Sequence, residues 1–211
     1  MALDDFEDID NISSNKNDIV SSSNFDEYVK FRNIIKKILN HDRDLPRKLD
    51  EIRVYKEMIK LHDDYGFLYK VNTLDELKSI IERFIDIWPV ATNNFNWLDV
   101  SSLTSLQYAF SSASIRDKIG KVIIDEWNVS NVKDIQFMAW QCAYFEADLS
   151  KWNVSNLEYA GGAFLGCKKF NSDLSNWNVS NLYDASSMFL YCDNFNSDLS
   201  RWNVSNLVDA S

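Results

Sequence analysis

Apolar residues recur at a fixed interval in the last third of the chain. Trp127, Trp152, Trp177 and Trp202 each follow the previous one by 25 residues. An Ile or Leu precedes each Trp by three residues, and a Val follows it by two. A period of roughly 20 to 50 residues is typical of solenoids, in which each unit buries its apolar face against its neighbours. We therefore predict a stack of 25-residue coils, in which equivalent residues of successive coils form columns.

Within one coil, the pattern predicts a helix or helical turn followed by a short extended segment. Ser155 to Glu158 has the form of a Ser-x-x-Glu capping box, which opens a helix, and Gly166-Cys167 closes it. Asp173 to Trp177 alternates between polar and apolar residues, as a strand parallel to its copies would. The predicted fold class is α/β, a short leucine-rich-repeat-like solenoid of parallel strands and helical turns with an α-helical N-terminal region.

Three further helices are predicted before the coils. Apolar positions mark a helix from Phe25 to about Asn40, a second from Pro46 to Tyr65, and a third from a capping box at Thr73 to Ile87. The next segment repeats the columns as a first coil, with about four extra residues near 115–120. The predicted domains are a flexible acidic arm at 1–22, a helical capping region at 23–92 and the solenoid at 93–211.

The repeated motif resembles a known family. The pattern F-N-x-D-L-S-x-W-N-V-S-N-L, with A/M-F-x-x-C clusters at 163–167 and 188–192, is similar to the BspA-type leucine-rich repeats of bacterial surface proteins and mobile elements. The resemblance extends upstream through the helix that opens at Thr73 and covers about residues 70–211. It implies a binding scaffold without a shared catalytic motif.

Charge bears on the class of partner. The net charge of −10 and the isoelectric point near 4.7 disfavour non-specific nucleic-acid binding, which needs clustered Lys and Arg, and favour a protein partner with a basic surface. The N-terminus has neither a basic region nor an apolar core typical of a signal peptide, and no run of about 18 apolar residues is present. We expect a cytoplasmic protein without membrane contact.

Few residues suggest chemistry. Cys142, Cys167 and Cys192 each lie 15 residues after a Trp and form one column, which predicts buried, free thiols. His41 and His62 are predicted to be isolated surface residues on helices. Since the sequence contains no nucleophile elbow, phosphate loop or zinc-binding signature, we predict neither enzymatic activity nor a cofactor or metal site. The Asn-Val-Ser triplets are interpreted as turns, in which Ser caps the helix.

Two columns are candidates for partner binding. Asp148, Asp173 and Asp198 would lie about 5 Å apart on adjacent coils, where like charges repel unless they are compensated. Backbone N–H groups at a turn, a divalent cation or a docked basic partner are the possible compensations. The column before each Trp is chemically varied, which is expected of solvent positions that either drift or encode a partner; its members are Glu126, Lys151, Asn176 and Arg201.

The predicted function is therefore a non-enzymatic, intracellular protein–protein interaction module. A narrower alternative is an acidic inhibitor from a phage or mobile element, similar to anti-CRISPR proteins, that blocks a basic nucleic-acid-binding protein. A different class is a nucleic-acid-contacting module that uses the basic helices at 30–60, where ten Lys or Arg stand against five acids.

Overall fold

The computed structural model describes residues 25–39, 48–87 and 92–211. The chain divides into two compact units. The first comprises Met1–Lys70 and Trp97–Asp99, and the second comprises Val71–Asn96 and Val100–Ser211. The predicted acidic arm at 1–22 lies outside the described residues.

The first unit contains two helices, α1 (Phe25–Leu39) and α2 (Lys48–Tyr65), which confirm the helices predicted from the apolar pattern. Their buried residues include Phe31, Ile35 and Met58. Strand β1 (Tyr69–Lys70) pairs in parallel with β3 (Leu98–Asp99), so a short two-stranded ladder completes this unit.

The turn after α2 corrects one prediction. Gly66 has a φ of 67°, in the left-handed region that glycine tolerates, and its N–H donates to the carbonyl of His62 at 2.7 Å. His62 is buried instead of lying on the surface, and its Nδ1 is 2.9 Å from the carbonyl oxygen of Phe67. The tight turn places the Phe67 carbonyl over the last turn of α2, where it covers His62 and explains why this residue is buried.

The second unit opens with α3 (Leu74–Ile87), which begins where the capping box predicts. Thr73 Oγ1 accepts a hydrogen bond from the backbone N–H of Glu76 at 3.1 Å. Phe84 on the buried face of α3 packs edge-on against Phe95, with ring centroids 6.0 Å apart. The helix thus belongs to the same unit as the coils, and its apolar face contacts the first of them.

Successive coils are joined by parallel pairing. Strand β2 (Asn93–Asn94) pairs with β4 (Val122–Ile123), and single bridges then link equivalent residues of neighbouring coils. One bridge joins Ser105 to Asp134, 29 residues apart. The same column continues with bridges from Asp134 to Tyr159 and from Tyr159 to Asp184, each spanning 25 residues. The difference, 29 − 25 = 4, confirms the four-residue insertion in the first coil. The insertion forms a turn at 113–118 that buries Ile115.

The predicted helix within each coil is wrong. Residues 158–167 form turns, and the backbone N–H groups of Ala160, Gly162 and Phe164 donate to carbonyl oxygens one coil further on, at 2.8, 2.7 and 3.0 Å. Gly162 and Gly166 have φ values of 60° and 81°, and left-handed residues spaced four apart interrupt the helical ladder. Coil-to-coil hydrogen bonds therefore replace helical ones.

The predicted strand at Asp173–Trp177 is also misplaced. The segment forms a turn, and the parallel ladder runs through Tyr159 and Asp184 instead. Leu174 is buried, whereas the Asp173 carboxylate accepts the Ser175 N–H in a tight turn. The polar–apolar alternation of a strand therefore occurs here in a turn.

The interior is a set of aromatic stacks. Phe164 lies 4.1 Å from Phe170 with nearly parallel rings, and Trp127 lies 6.3 Å from Trp152 at 11°. The Nε1 of each Trp in the 25-residue column donates to a carbonyl oxygen of the preceding coil at 2.8 or 2.9 Å; these residues are Trp127, Trp152, Trp177 and Trp202. Identical residues thus stack in register, and their buried polar atoms are satisfied between coils.

Candidate functional site

The repeated Asn pair has a structural role. Asn153 Oδ1 accepts the backbone N–H of Ser155 at 3.2 Å, and Asn156 Nδ2 donates to the carbonyl oxygen of Ser130 in the preceding coil at 2.7 Å. The Asn128, Asn178 and Asn203 turns and the Asn131, Asn181 and Asn206 links repeat these bonds. Ser155 does not cap a helix, because it is followed by turns. The first Asn shapes the turn, and the second ties two coils together.

The three thiols also belong to the interior. Cys142, Cys167 and Cys192 are buried and free, and their Sγ–H groups donate to carbonyl oxygens of the preceding coil at 3.2, 2.9 and 2.9 Å. Burial raises the pKa of Cys142 to about 12 and that of Cys192 to about 11, and it raises the pKa of Cys167 as well. These side chains act as small packing residues.

The carboxylate column consists of Asp148, Asp173 and Asp198. Each Oδ1 accepts the backbone N–H of the Ser two residues later, at 3.0, 3.0 and 2.9 Å. The hydroxyl and backbone of Ser150 lower the pKa of Asp148, and backbone and hydroxyl groups of the equivalent serines lower the pKa of the other two. Turn N–H groups thus compensate the column. Within residues 25–39, 48–87 and 92–211, no three His, Cys, Asp or Glu form a group able to hold a metal ion.

The varied column is exposed at all four positions, but its members do not come together. Lys151 Nζ lies 2.8 Å from Asp125 Oδ2 of the preceding coil, and this contact lowers the pKa of Asp125. Glu126 and Asn176 are exposed on their own coils. Arg201 instead lines a shallow groove of about 490 Å³ together with Asp173 and Asp198. The structure therefore unites two members of the carboxylate column with one member of the varied column.

A second surface was not predicted. Tyr159 and Tyr183 are 38% and 49% exposed on neighbouring coils, and their ring centroids are 6.0 Å apart at 62°. They line a shallow groove of about 560 Å³ with Glu158, Leu207 and Val208, which we call the tyrosine groove. The chemical variety of the column Lys133, Glu158, Tyr183 and Val208 is the signal that would have found it.

Charged groups next to the tyrosine groove interact across coils. Lys133 Nζ lies 2.8 Å from Glu158 Oε1. Gln136 Nε2 donates to Asp184 Oδ2 at 3.0 Å, although Asp184 lies two coils further on. The contact crosses Gly161, where an added Cβ would lie 2.7 Å from Asp184 Oδ2. Because Gly161 has no side chain, Gln136 can bond to Asp184 across the intervening coil.

The basic helical region is described only in part. Of its ten Lys and Arg, the side chains of Lys30, Lys56 and Lys60 are described. Lys30 Nζ lies 2.7 Å from Glu57 Oε1, and Lys60 Nζ lies 3.9 Å from Asp64 Oδ2. The side chains of the remaining seven lie outside the described residues. Two of the three described cations thus face carboxylates of the same unit.

Comparison with known proteins gives one match. A family model described as "Mycoplasma protein of unknown function, DUF285" matches residues 104–211, which is 108 of the 211 residues and includes every 25-residue coil. DUF285 is related to BspA-like repeat proteins. No curated protein and no solved structure matches the chain. In the part of the chain that the structure describes, no helix combines the length and the hydropathy needed to cross a bilayer.

Proposed function

The chain belongs to the DUF285 family, and we propose that it is a non-enzymatic protein-binding module whose exposed columns recognise a partner with a basic surface. Its W-N-V-S-N-L motif supports a closer relation to the BspA-type repeats of bacterial surface proteins and mobile elements. Such repeats present side chains from several coils on one continuous surface.

The observation that carries this proposal is the contrast between columns that repeat the same hydrogen bonds and an exposed column that varies. The Trp, Asn and Cys columns make the same hydrogen bonds at successive junctions between coils. The exposed column before each Trp changes in size and charge from coil to coil, as in Lys151, Asn176 and Arg201. Because the repeated bonds set the shape, the varied column is available to specify a partner.

Charge and thiol chemistry support the class of partner and the compartment. A net charge of −10 and an exposed carboxylate column would steer the chain toward a positively charged protein. Three free, buried cysteines fit a reducing compartment, so we propose a cytoplasmic location.

The experiment compares protein capture from a source-cell extract by the immobilised wild type and by the triple variant Asp148→Asn/Asp173→Asn/Asp198→Asn. Asn keeps an Oδ1 acceptor for the Ser N–H, so the turns are retained while three charges are removed. The matched control, Asp63→Asn/Asp117→Asn/Asp193→Asn, removes three exposed charges elsewhere.

We expect the wild type and the control to capture the same basic protein, and the column variant to associate with it about threefold or more slowly at low salt. Competition by duplex DNA would identify the partner as a nucleic-acid-binding protein, as the narrower inhibitor hypothesis requires. Capture of nothing beyond what an unrelated acidic protein retains would refute the proposed function. Equal rates for the column variant and the control would exclude the carboxylate column as the binding face.

A further inference from the structure

We propose that the tyrosine groove binds an arginine side chain from a basic segment of the partner. This inference rests on the proposed function and specifies the chemistry that one surface recognises. The two rings of Tyr159 and Tyr183 lie 6.0 Å apart, edge to face, so that each shows part of its surface to solvent. Exposed aromatic side chains grouped across coils are typical of binding surfaces, where they add contact area at low entropic cost.

The chemistry of the groove selects a cation. A guanidinium stacks on the negative face of an aromatic ring and keeps its N–H groups available for a carboxylate in the same plane. Glu158 supplies that carboxylate, because it lines the groove beside both rings. Asn181 also lines the groove, but its Nδ2 donates to the carbonyl oxygen of Ser155.

The charge of the surrounding columns is complementary to the same occupant. In the 25-residue coils, the columns that contain Glu158 and Tyr159 hold eight residues at positions 133, 134, 158, 159, 183, 184, 208 and 209. Among them Lys133 is the single cation, against Asp134, Glu158, Asp184 and Asp209, which leaves 1 − 4 = −3. An anionic ligand such as a nucleotide would meet this field unfavourably, whereas a basic segment would be attracted.

An ion pair within the chain shows how a cation binds at this surface. Lys133 Nζ lies 2.8 Å from Glu158 Oε1, and the Glu158 carboxylate raises the pKa of Lys133. One coil further on, the position equivalent to Glu158 is Tyr183, which carries no charge. An arginine from the partner would therefore approach Glu158 from the side of Tyr183, opposite to the side that Lys133 occupies.

The test uses the full chain and a fluorescently labelled peptide with four Arg-Gly repeats, read by anisotropy at low salt. A peptide with citrulline in place of arginine keeps the shape and hydrogen-bond donors but lacks the charge. We expect the arginine peptide to bind at least about tenfold more tightly than the citrulline peptide. We expect Tyr183→Ala to weaken binding about threefold to tenfold, and Tyr183→Phe to retain it within about twofold.

Two further variants control for folding and for non-specific attraction. Glu158→Gln keeps the size of the side chain and is expected to weaken binding even if Tyr183→Ala disturbs the coil. Tyr144→Ala removes a 58%-exposed tyrosine outside the groove and should leave binding unchanged.

Equal affinities of the wild type, Tyr183→Ala and Glu158→Gln for the arginine peptide would overturn the inference. So would a loss of binding confined to the Asp148/Asp173/Asp198→Asn variant, which would assign the peptide to the carboxylate column and leave the proposed function intact. Conversely, Tyr183-dependent peptide binding without any captured protein would support the groove and count against the proposed function.

Discussion

The thiol column makes a prediction that tests the interior of the coils directly. Cys142, Cys167 and Cys192 should react slowly with an alkylating reagent in the native protein, and Cys192 should react first. Cys192 is 9% exposed and its pKa is raised to about 11, whereas Cys142 is fully enclosed and its pKa is raised to about 12. All three thiols donate hydrogen bonds to carbonyl oxygens of the preceding coil.

The size of the effect follows from the thiolate fraction, because only the thiolate is nucleophilic. At pH 8, a cysteine with an ordinary pKa of about 8.5 is roughly one-quarter thiolate. A pKa of about 11 reduces this fraction to about one part in a thousand, and a pKa of about 12 to about one in ten thousand. We therefore expect Cys192 to react roughly 200-fold more slowly than an unperturbed thiol and Cys142 roughly 2,000-fold more slowly, before steric exclusion slows either further.

The assay is alkylation with iodoacetamide at pH 8, followed by peptide mass spectrometry of each cysteine. The same reaction in concentrated urea is the control, in which all three thiols should react at one ordinary rate. Native rates should rise about tenfold per pH unit between pH 8 and pH 10, because the thiolate fraction is proportional to hydroxide concentration well below the pKa. Native labelling at the rate seen in urea would show that this column does not face the interior.

Two further predictions concern stability in urea melts. Leu174→Ala, which truncates a fully buried residue, should lower the free energy of unfolding by about 2–5 kcal/mol. Leu190→Ala, at a 45%-exposed position, should change it by less than about 0.5 kcal/mol. Similar losses in both variants would mean that the interior is wrongly assigned. Gly162→Ala should lower the free energy of unfolding by more than about 1 kcal/mol, because φ is 60° and the new Cβ would lie 2.5 Å from Phe137 Cε1. If this loss is not smaller in a Phe137→Ala background, the clash with Phe137 does not contribute to it.

The period of the repeat was predictable from the sequence because stacking constrains every interior column in the same way. Trp152 and Trp177 each present an indole N–H to a carbonyl oxygen of the coil before, so both positions face the same requirement. Such constraints produce identical residues at identical spacing. The four-residue insertion was visible for the same reason, since it displaces the columns of the first coil.

The backbone path within a coil was not predictable in the same way. Ser155 to Glu158 has the residues of a capping box, but Asn153 takes the Ser155 N–H and the left-handed Gly162 prevents a helical ladder. The equivalent positions Phe137 and Ser187 are also left-handed without being glycine, with φ values of 54° and 51°. The conformation is imposed by pairing between coils, and local propensity does not reveal it.

The candidate site was predictable only where charge repeats. The carboxylate column is visible as a regular series of Asp, and its compensation by turn N–H groups follows from turn chemistry. The tyrosine groove has no repeated residue. Glu158 and Tyr183 occupy the same position of neighbouring coils but differ in chemistry, and Tyr159 occupies the next position. Only the geometry of the coils brings them together.

The uniform junctions between coils have a consequence for how such a gene changes. Each coil meets its neighbour through the same Trp, Asn and Cys bonds, so excision of residues 151–175 would place every remaining column on its equivalent. The gain or loss of a whole 25-residue unit can therefore lengthen or shorten the array without breaking its interior. Each unit also carries its own exposed side chains, so the insertion or deletion of one unit changes the residues of every exposed column at once. The link from Gln136 to Asp184 across Gly161 is an exception, because it fixes the order of three particular units.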